Sequence, residues 1–351
     1  MHEEGRKRMR WIEEMGPDND VVISSRMRLA RNLKEYPFPI ALTKEKSKQV
    51  IQRIFHAVEE LEQQNAFGEK LELCVLEEIS PLERQVLLEK HLISPNLLQN
   101  YEKGAVLLNQ DESVSIMLNE EDHIRIQCLL SGFQLDAAFQ MADHIDDVLE
   151  EKLEYAFDEQ FGYLSSCPTN VGTGIRASVM MHLPALAMTG YIDRILQVAN
   201  HIGLAVRGVY GEGTEFVGNM YQISNQLTLG RSEKEIILNL KDVVQQIIQK
   251  ERDARSTLLT NNRAQLEDKI YRSFGILTNA RILNSDECMQ LLSDVRLGID
   301  LGLIQEVRTE QINEIMILVQ PACIQKAAEK HLSANERDIR RASLVREKLK
   351  G

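Results

Sequence analysis

The sequence contains no CxxC pair. Its five cysteines (Cys74, Cys128, Cys167, Cys288, Cys323) are scattered and odd in number. A zinc ribbon is thereby excluded and no disulfide framework is suggested, so a reducing compartment fits. No stretch approaches the roughly 20 apolar residues that a membrane helix needs. The opening MHEEGRKRMRWIEEMG has no apolar signal core, and a cytoplasmic location is expected. Basic residues are the minority, 41 Lys and Arg against 53 Asp and Glu, for a net charge of −12. Such a balance speaks against generic coating of nucleic acid or an anionic membrane, and makes any local basic cluster informative. What is present is ordinary for a soluble protein: 351 residues, 43% apolar and 27% charged. That length suits two domains.

Patterning divides the chain. Val21-Val22-Ile23-Ser24 is β-branched and reads as a strand entry. From about Thr43, Val50, Ile51, Ile54, Phe55, Val58 and Leu61 recur at helical spacing. SVSIMLN (113–119) and HIRIQCLL (123–130) alternate around the acidic turn Glu120-Glu121-Asp122 and predict a hairpin. The pattern predicts a helix over 134–157, strands over 175–182 and 204–210, and a glycine-rich loop from Gly208 to Gly218. Ser232 and Glu235 form a capping box for a helix over 232–252. From about 253 strand patterns stop and charged amphipathic helix takes over. The expected division is a domain over 1–252 and an all-helical one over 253–351. The last stretch, Ser333–Gly351, carries six Lys or Arg against three Asp or Glu.

Four segments carry candidate chemistry. In Ser24-Ser25-Arg26-Met27-Arg28, strand geometry puts Arg26 and Arg28 on one face. Adjacent guanidinium forks repel unless an anion lies between them, and a polyphosphate suits them; without a ligand, the pair is a surface face matched to acidic neighbours. In Asn119-Glu120-Glu121-Asp122-His123-Ile124-Arg125, a carboxylate could hold a cationic substrate and accept its proton, or the acids are simply solvated. Cys167-Pro168-Thr169-Asn170-Val171-Gly172-Thr173-Gly174-Ile175-Arg176 lacks the Gly-Lys-Ser/Thr end of a P-loop. Its glycines allow close backbone approach to a ligand or make a structural turn. Cys167 is either a filler or a thiolate held low by cationic surroundings. Arg207-Gly208-Val209-Tyr210-Gly211-Glu212-Gly213-Thr214-Glu215 reads as a mobile lid or a surface loop.

Taken in order, these segments resemble the Ser-Ser-Arg-x-Arg, Asn-Glu-Glu-Asp-His-x-Arg, Cys-Pro-(Ser/Thr)-Asn-x-Gly-Thr-Gly-x-Arg and Arg-Gly-x-x-Gly-Glu-x-x-Glu patterns of the phosphagen (guanidino) kinases. The resemblance implies an α+β fold, an antiparallel β-sheet flanked by helices, with an all-α C-terminal domain added. It also implies ATP and Mg2+. Ser25, Arg26, Arg28, Arg125, Arg176 and Arg207 would hold the nucleotide phosphates, with Mg2+ carried mainly by those phosphates. Glu121 would orient and deprotonate the attacking guanidinium nitrogen, Glu212 would bind the guanidinium from the closing loop, and Cys167 would sit beside the substrate.

Three departures refine the expectation. The small-molecule members of the family carry a helical domain ahead of the first motif, which here begins at Ser24. Met180 stands where the family usually has an adenine-side histidine. A helical domain follows the catalytic one, and its Arg337-Asp338-Ile339-Arg340-Arg341-Ala342 is similar to the Arg-Asp-x-x-Arg-Ala motif of the bacterial protein-arginine kinases. That similarity implies phosphorylation of arginine side chains in proteins, marking them for Clp protease degradation under stress. It further implies a regulatory phosphoarginine site at Arg337, Asp338 and Arg341, a homodimer and an activator protein. The alternatives are a kinase for a free guanidino substrate and a non-catalytic phosphoarginine-binding regulator.

Overall fold

The period-two alternation predicted for the strands builds the central sheet. The structure is a computed structural model describing residues 9–208, 216–328 and 330–350. Its strands are β1 (Val22–Arg31), β2 (Glu72–Val75), β3 (Ala105–Leu108), β4 (Val114–Leu118), β5 (Ile124–Ser131), β6 (Phe157–Asp158), β7 (Gly162–Tyr163), β8 (Ile175–His182), β9 (Leu204–Arg207) and β10 (Met220–Asn225). Eight of them form one antiparallel sheet in the order β2-β3-β4-β5-β1-β8-β10-β9, and β6 and β7 make a separate ribbon. The expected α+β class is the one observed. The predicted hairpin is β4–β5, in which Asn119 takes a left-handed φ of 56° and its N–H bonds the His123 carbonyl at 3.0 Å.

The helices are α1 (Arg10–Glu13), α2 (Lys44–Gln63), α3 (Pro81–Glu89), α4 (Pro95–Gln99), α5 (Leu135–Glu150), α6 (Pro184–Met188), α7 (Ile192–His201), α8 (Glu233–Asn261), α9 (Arg263–Asn279), α10 (Ser285–Asp300), α11 (Thr309–Leu318), α12 (Pro321–Ala327) and α13 (Ala334–Lys350). Thr43 caps α2, and Ser232 with Glu235 closes the capping box of α8. Helix α5 stops at Glu150, seven residues before the end of the predicted span.

One face of the sheet is apolar. Met27, Leu29, Ile126, Cys128, Ala177, Val179, Tyr221 and Ile223 pack with α2, α5 and α8 in a single core. At about 25 cal/mol per Å2 of apolar surface removed from water, this face supplies much of the driving force for folding. The C-terminal helices form a second core that takes in Ile23 and Met220 from the end of the sheet. The expected division at 252/253 falls inside α8, whose residues join the first core up to Ala254 and the second from Leu258. Glu89 of α3 adds a polar link: its carboxylate accepts the N–H groups of Ala322 and Cys323 at the start of α12, at 2.9–3.0 Å.

Candidate active site

The opposite face of the same strands is polar. Arg28 lies across from Arg176 on β8 and Gln127 on β5, and Arg125 lies across from Ala30. Arg207 faces Gln222, which faces Met180, four residues along β8 from Arg176. Since side chains alternate along a strand, Arg26, Arg28, Arg125, Arg176 and Arg207 share one face. Arg26 donates to Gln222 Oε1 at 2.7 Å and to Ser178 Oγ at 3.2 Å. Arg26, Arg28 and Arg207 line a common cavity with His91, Ser94 and Gln222.

The electrostatics of this face are unfavourable without an anion. Burial, then the charges of Arg125 and Arg176, pull the Arg26 guanidinium down to about 10. Burial and the neighbouring arginines also depress Arg28 and Arg176. The Nε atoms of Arg28 and Arg176 are buried with no hydrogen-bond partner. Arg125 is compensated: its Nη1 meets Glu120 Oε2 at 2.5 Å.

The three acids of the turn separate by geometry. Glu120 is buried, paired with Arg125 and bonded by Ser94 Oγ at 2.7 Å. Asp122 is saturated by Asn32 Nδ2 at 2.6 Å, Ser165 Oγ at 2.7 Å and the Ser166 N–H at 2.8 Å. Glu121 is the open one: its side chain is 40% exposed, with its carboxylate 4.0 Å from Arg125 Nη2. Burial, followed by the charge of Glu120, raises its pKa above the ordinary glutamate value. Glu121 and Cys167 line the same cleft of about 500 Å3. Cys167 Sγ contacts Thr169 Oγ1 at 3.1 Å. Ser94 stands between this cleft and the arginine cavity, lining the second and bonding an acid of the first.

One expectation is corrected. Ser25 does not share the face of Arg26 and Arg28. It lies on the other side of β1, fully buried, where its hydroxyl donates to the Gly132 carbonyl at 2.8 Å and accepts the Gln134 N–H at 2.9 Å. Strand alternation is the reason. Of the two readings of Gly172 and Gly174, the structural turn is the one that fits: both open space for the protein's own backbone. A Cβ at Gly174 (φ 67°) would lie 2.6 Å from the Ala30 carbonyl oxygen, and one at Gly172 would press on Leu229.

Glu212 lies outside the described residues. Arg337, Asp338 and Arg341 occupy α13, remote in sequence from the sheet. Arg341 is turned inward: its guanidinium donates to the Val319 carbonyl at 2.9 Å and the Leu283 carbonyl at 2.8 Å, and meets Asp338 Oδ1 at 2.5 Å. Arg337 and Asp338 are half-exposed. Sequence reasoning missed Gln127, Ser178 and Gln222, which the register sets among the arginines and which strand periodicity could have found. It also missed Arg31, whose ion pair with Asp146 at 2.6 Å and position 3.5 Å over the Tyr163 ring are structural. Among the described residues no cluster of three or more His, Cys, Asp or Glu is arranged to hold a metal, and no helix is long and apolar enough to cross a membrane.

Comparison with known proteins adds the following. Residues 49–254 match the family described as ATP:guanido phosphotransferase, C-terminal catalytic domain, and residues 263–351 match the protein-arginine kinase McsB C-terminal domain. The chain is 55% identical over 340 residues to the protein-arginine kinase of Halalkalibacterium halodurans, covering 97% of this chain and 95% of that one. It is 54% identical over 342 residues to that of Brevibacillus brevis, with the same coverage. Among solved structures it is similar to lombricine kinase, with a TM-score of 0.58, 26% identity, and coverage of 70% of this chain and 71% of that one. The duplicated taurocyamine kinase of Schistosoma mansoni with bound transition state analog components gives a TM-score of 0.57 at 27% identity, covering 72% of this chain and 37% of that one.

Proposed function

Because the chain belongs to the protein-arginine kinases, within the ATP:guanido phosphotransferase family, we propose that its arginine-lined sheet face holds the ATP phosphates and that Glu121 is the base. The protein transfers the ATP γ-phosphoryl group to arginine side chains of proteins.

A guanidinium is a poor nucleophile, because its pKa exceeds about 12 and its charge is delocalised. Glu121 accepts the proton from the attacking nitrogen as the new N–P bond forms and the bond from the γ-phosphorus to the bridging oxygen breaks, releasing ADP. A raised Glu121 pKa makes the carboxylate a stronger base than an ordinary glutamate. Arg26, Arg28, Arg125, Arg176 and Arg207 clamp the phosphate oxygens, where charge develops in the transition state. Magnesium would enter on the nucleotide phosphates and neutralise part of their charge. Cys167 flanks the guanidinium, and Glu212 is the proposed second acid.

The carrying observation is the pair of buried, partnerless Nε atoms on Arg28 and Arg176, directly across the sheet from one another. Such donors favour an anion with several acceptor oxygens. Incubation with γ-labelled ATP and a disordered arginine-rich protein, with free arginine alongside, tests the reading. An acid-labile label on the protein that vanishes with Glu121→Gln is expected. Label on free arginine alone points to the small-substrate alternative, and an undiminished label with Glu121→Gln overturns the base.

The proposal extends to a cytoplasmic setting, a homodimer through the amphipathic C-terminal helices, an activator protein, and hand-over of marked proteins to Clp protease. Arg337 and Asp338 are proposed to take a regulatory phosphoarginine, with Arg341 holding Asp338 in place.

A further inference from the structure

The cleft of Glu121 and Cys167 is larger than a guanidinium needs. At about 500 Å3 it is of a size that takes a drug-sized ligand, more than one arginine side chain. Its lining includes Ile40, Asn96 and Asn100, which lie in none of the four charged segments. Ile40 is 91% exposed and so stands at the mouth. A single exposed apolar side chain is ordinary on a protein surface, but this one is held out on a braced turn. It is the middle residue of one 3-10 turn, Pro39–Ala41, and prolines at 37 and 39 fix the backbone on the way in. His123 Nδ1 accepts the Leu33 N–H, so its Nε2 donates to the Pro37 carbonyl, at 3.0 Å, and Phe38 lies edge-on to the same ring. On the way out, Lys103 Nζ donates to the Leu42 carbonyl at 2.7 Å. His123 follows Glu121 by two residues, so the turn that carries the proposed base also fixes the turn that presents Ile40.

Asn96 and Asn100 are one helical turn apart. Asn100 Nδ2 donates to Asn96 Oδ1 at 2.9 Å and to the Asn96 carbonyl at 3.1 Å. Bonded in this way, the pair keeps a donor, Asn96 Nδ2, and an acceptor, Asn100 Oδ1, with no partner among the described residues. A peptide group offers the complementary acceptor and donor.

We infer that this rim binds the stretch of protein substrate beside the target arginine: Ile40 packs against an apolar neighbouring side chain, and the Asn96–Asn100 pair holds a main-chain peptide group. The inference rests on the proposed reading of Glu121 as the base, which puts the guanidinium inside the cleft and the flanking residues at its mouth. A free guanidino substrate has no flank to reach either contact.

Two peptides with a single arginine test this, identical except that leucines flank the arginine in one and glycines in the other. With γ-labelled ATP, the wild-type protein should label the leucine peptide with a kcat/KM about tenfold higher, the gain expected from burying part of a leucine side chain, and the difference should lie in KM. Ile40→Ser, at an exposed position, should make the two peptides equal. Asn96→Ala combined with Asn100→Ala should raise KM about tenfold for both peptides and keep the leucine preference. Equal kcat/KM with wild type, or a preference that survives Ile40→Ser, overturns the apolar contact. An unchanged KM in the asparagine variant overturns the main-chain contact. Equal labelling that vanishes with Glu121→Gln removes the rim and leaves the base standing. A leucine preference that accompanies full labelling by Glu121→Gln removes the base and leaves the rim. No label on either peptide removes both.

Discussion

Arg28 and Arg176 stand directly opposite one another on neighbouring strands, each with a buried Nε that no acceptor reaches. Like charges facing across a sheet are destabilising, and unsatisfied buried donors add to that. The apolar core beneath, which includes Met27 and Leu29 on either side of Arg28, holds the pair in place. An anion bound there finds its donors already oriented, which is the condition for strong electrostatic stabilisation.

Replacing Arg28 with Met should therefore separate stability from function. Without nucleotide, relief of the like-charge contact should raise stability by about 0.5–1 kcal/mol. ATP affinity should fall roughly 10- to 100-fold, from the about 1.5–3 kcal/mol of hydrogen bonds to charged groups. Thermal denaturation and calorimetric titration measure the two effects. A variant that is no more stable and binds ATP normally contradicts both.

Neighbouring acids should fail in different ways. Glu121→Gln should cost about 10²–10⁴-fold in phosphoryl transfer, the usual loss of a general base, with ATP affinity and stability retained. Glu120→Gln leaves the Arg125 charge without its carboxylate and should cost about 3 kcal/mol of stability or more. Single-turnover kinetics and urea unfolding on the two variants distinguish them. Equal kinetic and stability losses in both would merge roles that the geometry separates.

Stability should decline as the solution is acidified below neutrality. His123 is fully buried, its Nδ1 accepting the Leu33 N–H at 3.0 Å, while Nε2 bonds the Pro37 carbonyl at 3.0 Å. Burial depresses it to about 4, and burial beside Arg296 depresses His182 as well. A folded-state value below the unfolded one means the unfolded chain takes up protons that the folded chain refuses. The contribution is fully present above about 6.5 and is lost as pH falls toward the folded value, at about 1.4 kcal/mol per pH unit for each histidine. Urea unfolding at pH 7 and pH 5 checks this, before most carboxylates titrate. Asp300, held up at about 6 by burial, offsets part of this loss as it takes up a proton over the same window; constant stability would still mean that the two histidines are not both neutral and enclosed.

Arg341 and Arg337 should also part company. Arg341→Ala strips hydrogen bonds from two backbone carbonyls and leaves Asp338 without its partner, with an expected loss of about 2–4 kcal/mol. Arg337→Ala, at a half-exposed position, should stay within about 0.5 kcal/mol. Chemical denaturation reads both. Phosphoarginine binding that disappears with Arg337→Ala at unchanged stability supports the regulatory site, and binding that persists argues against it.

Several features were legible along the chain because their causes are local. Alternation over 113–130 reflects a hairpin with one face on a core, and the Ser232–Glu235 capping box needs only its own four residues. Strand periodicity also put Arg26 and Arg28 on one face, and the same rule, applied to Ser25, puts it on the other, against the role that the resemblance implied. The extent of α8 was not readable at 252/253, since nothing local stops the helix there and its two ends pack into different cores.

From its sequence alone this protein had an antiparallel strand set, a helical tail, and four charged segments in the order of the guanidino kinases. Tertiary structure decided which of Glu120, Glu121 and Asp122 remains open to a substrate, because that depends on Arg125, Ser94, Asn32 and Ser165 reaching the turn from elsewhere. It likewise decided that Ile40, Asn96 and Asn100 line the cleft of Glu121. Local pattern follows from periodicity and caps within a few residues; convergence follows from strand register and helix packing across hundreds, and no short segment contains that information.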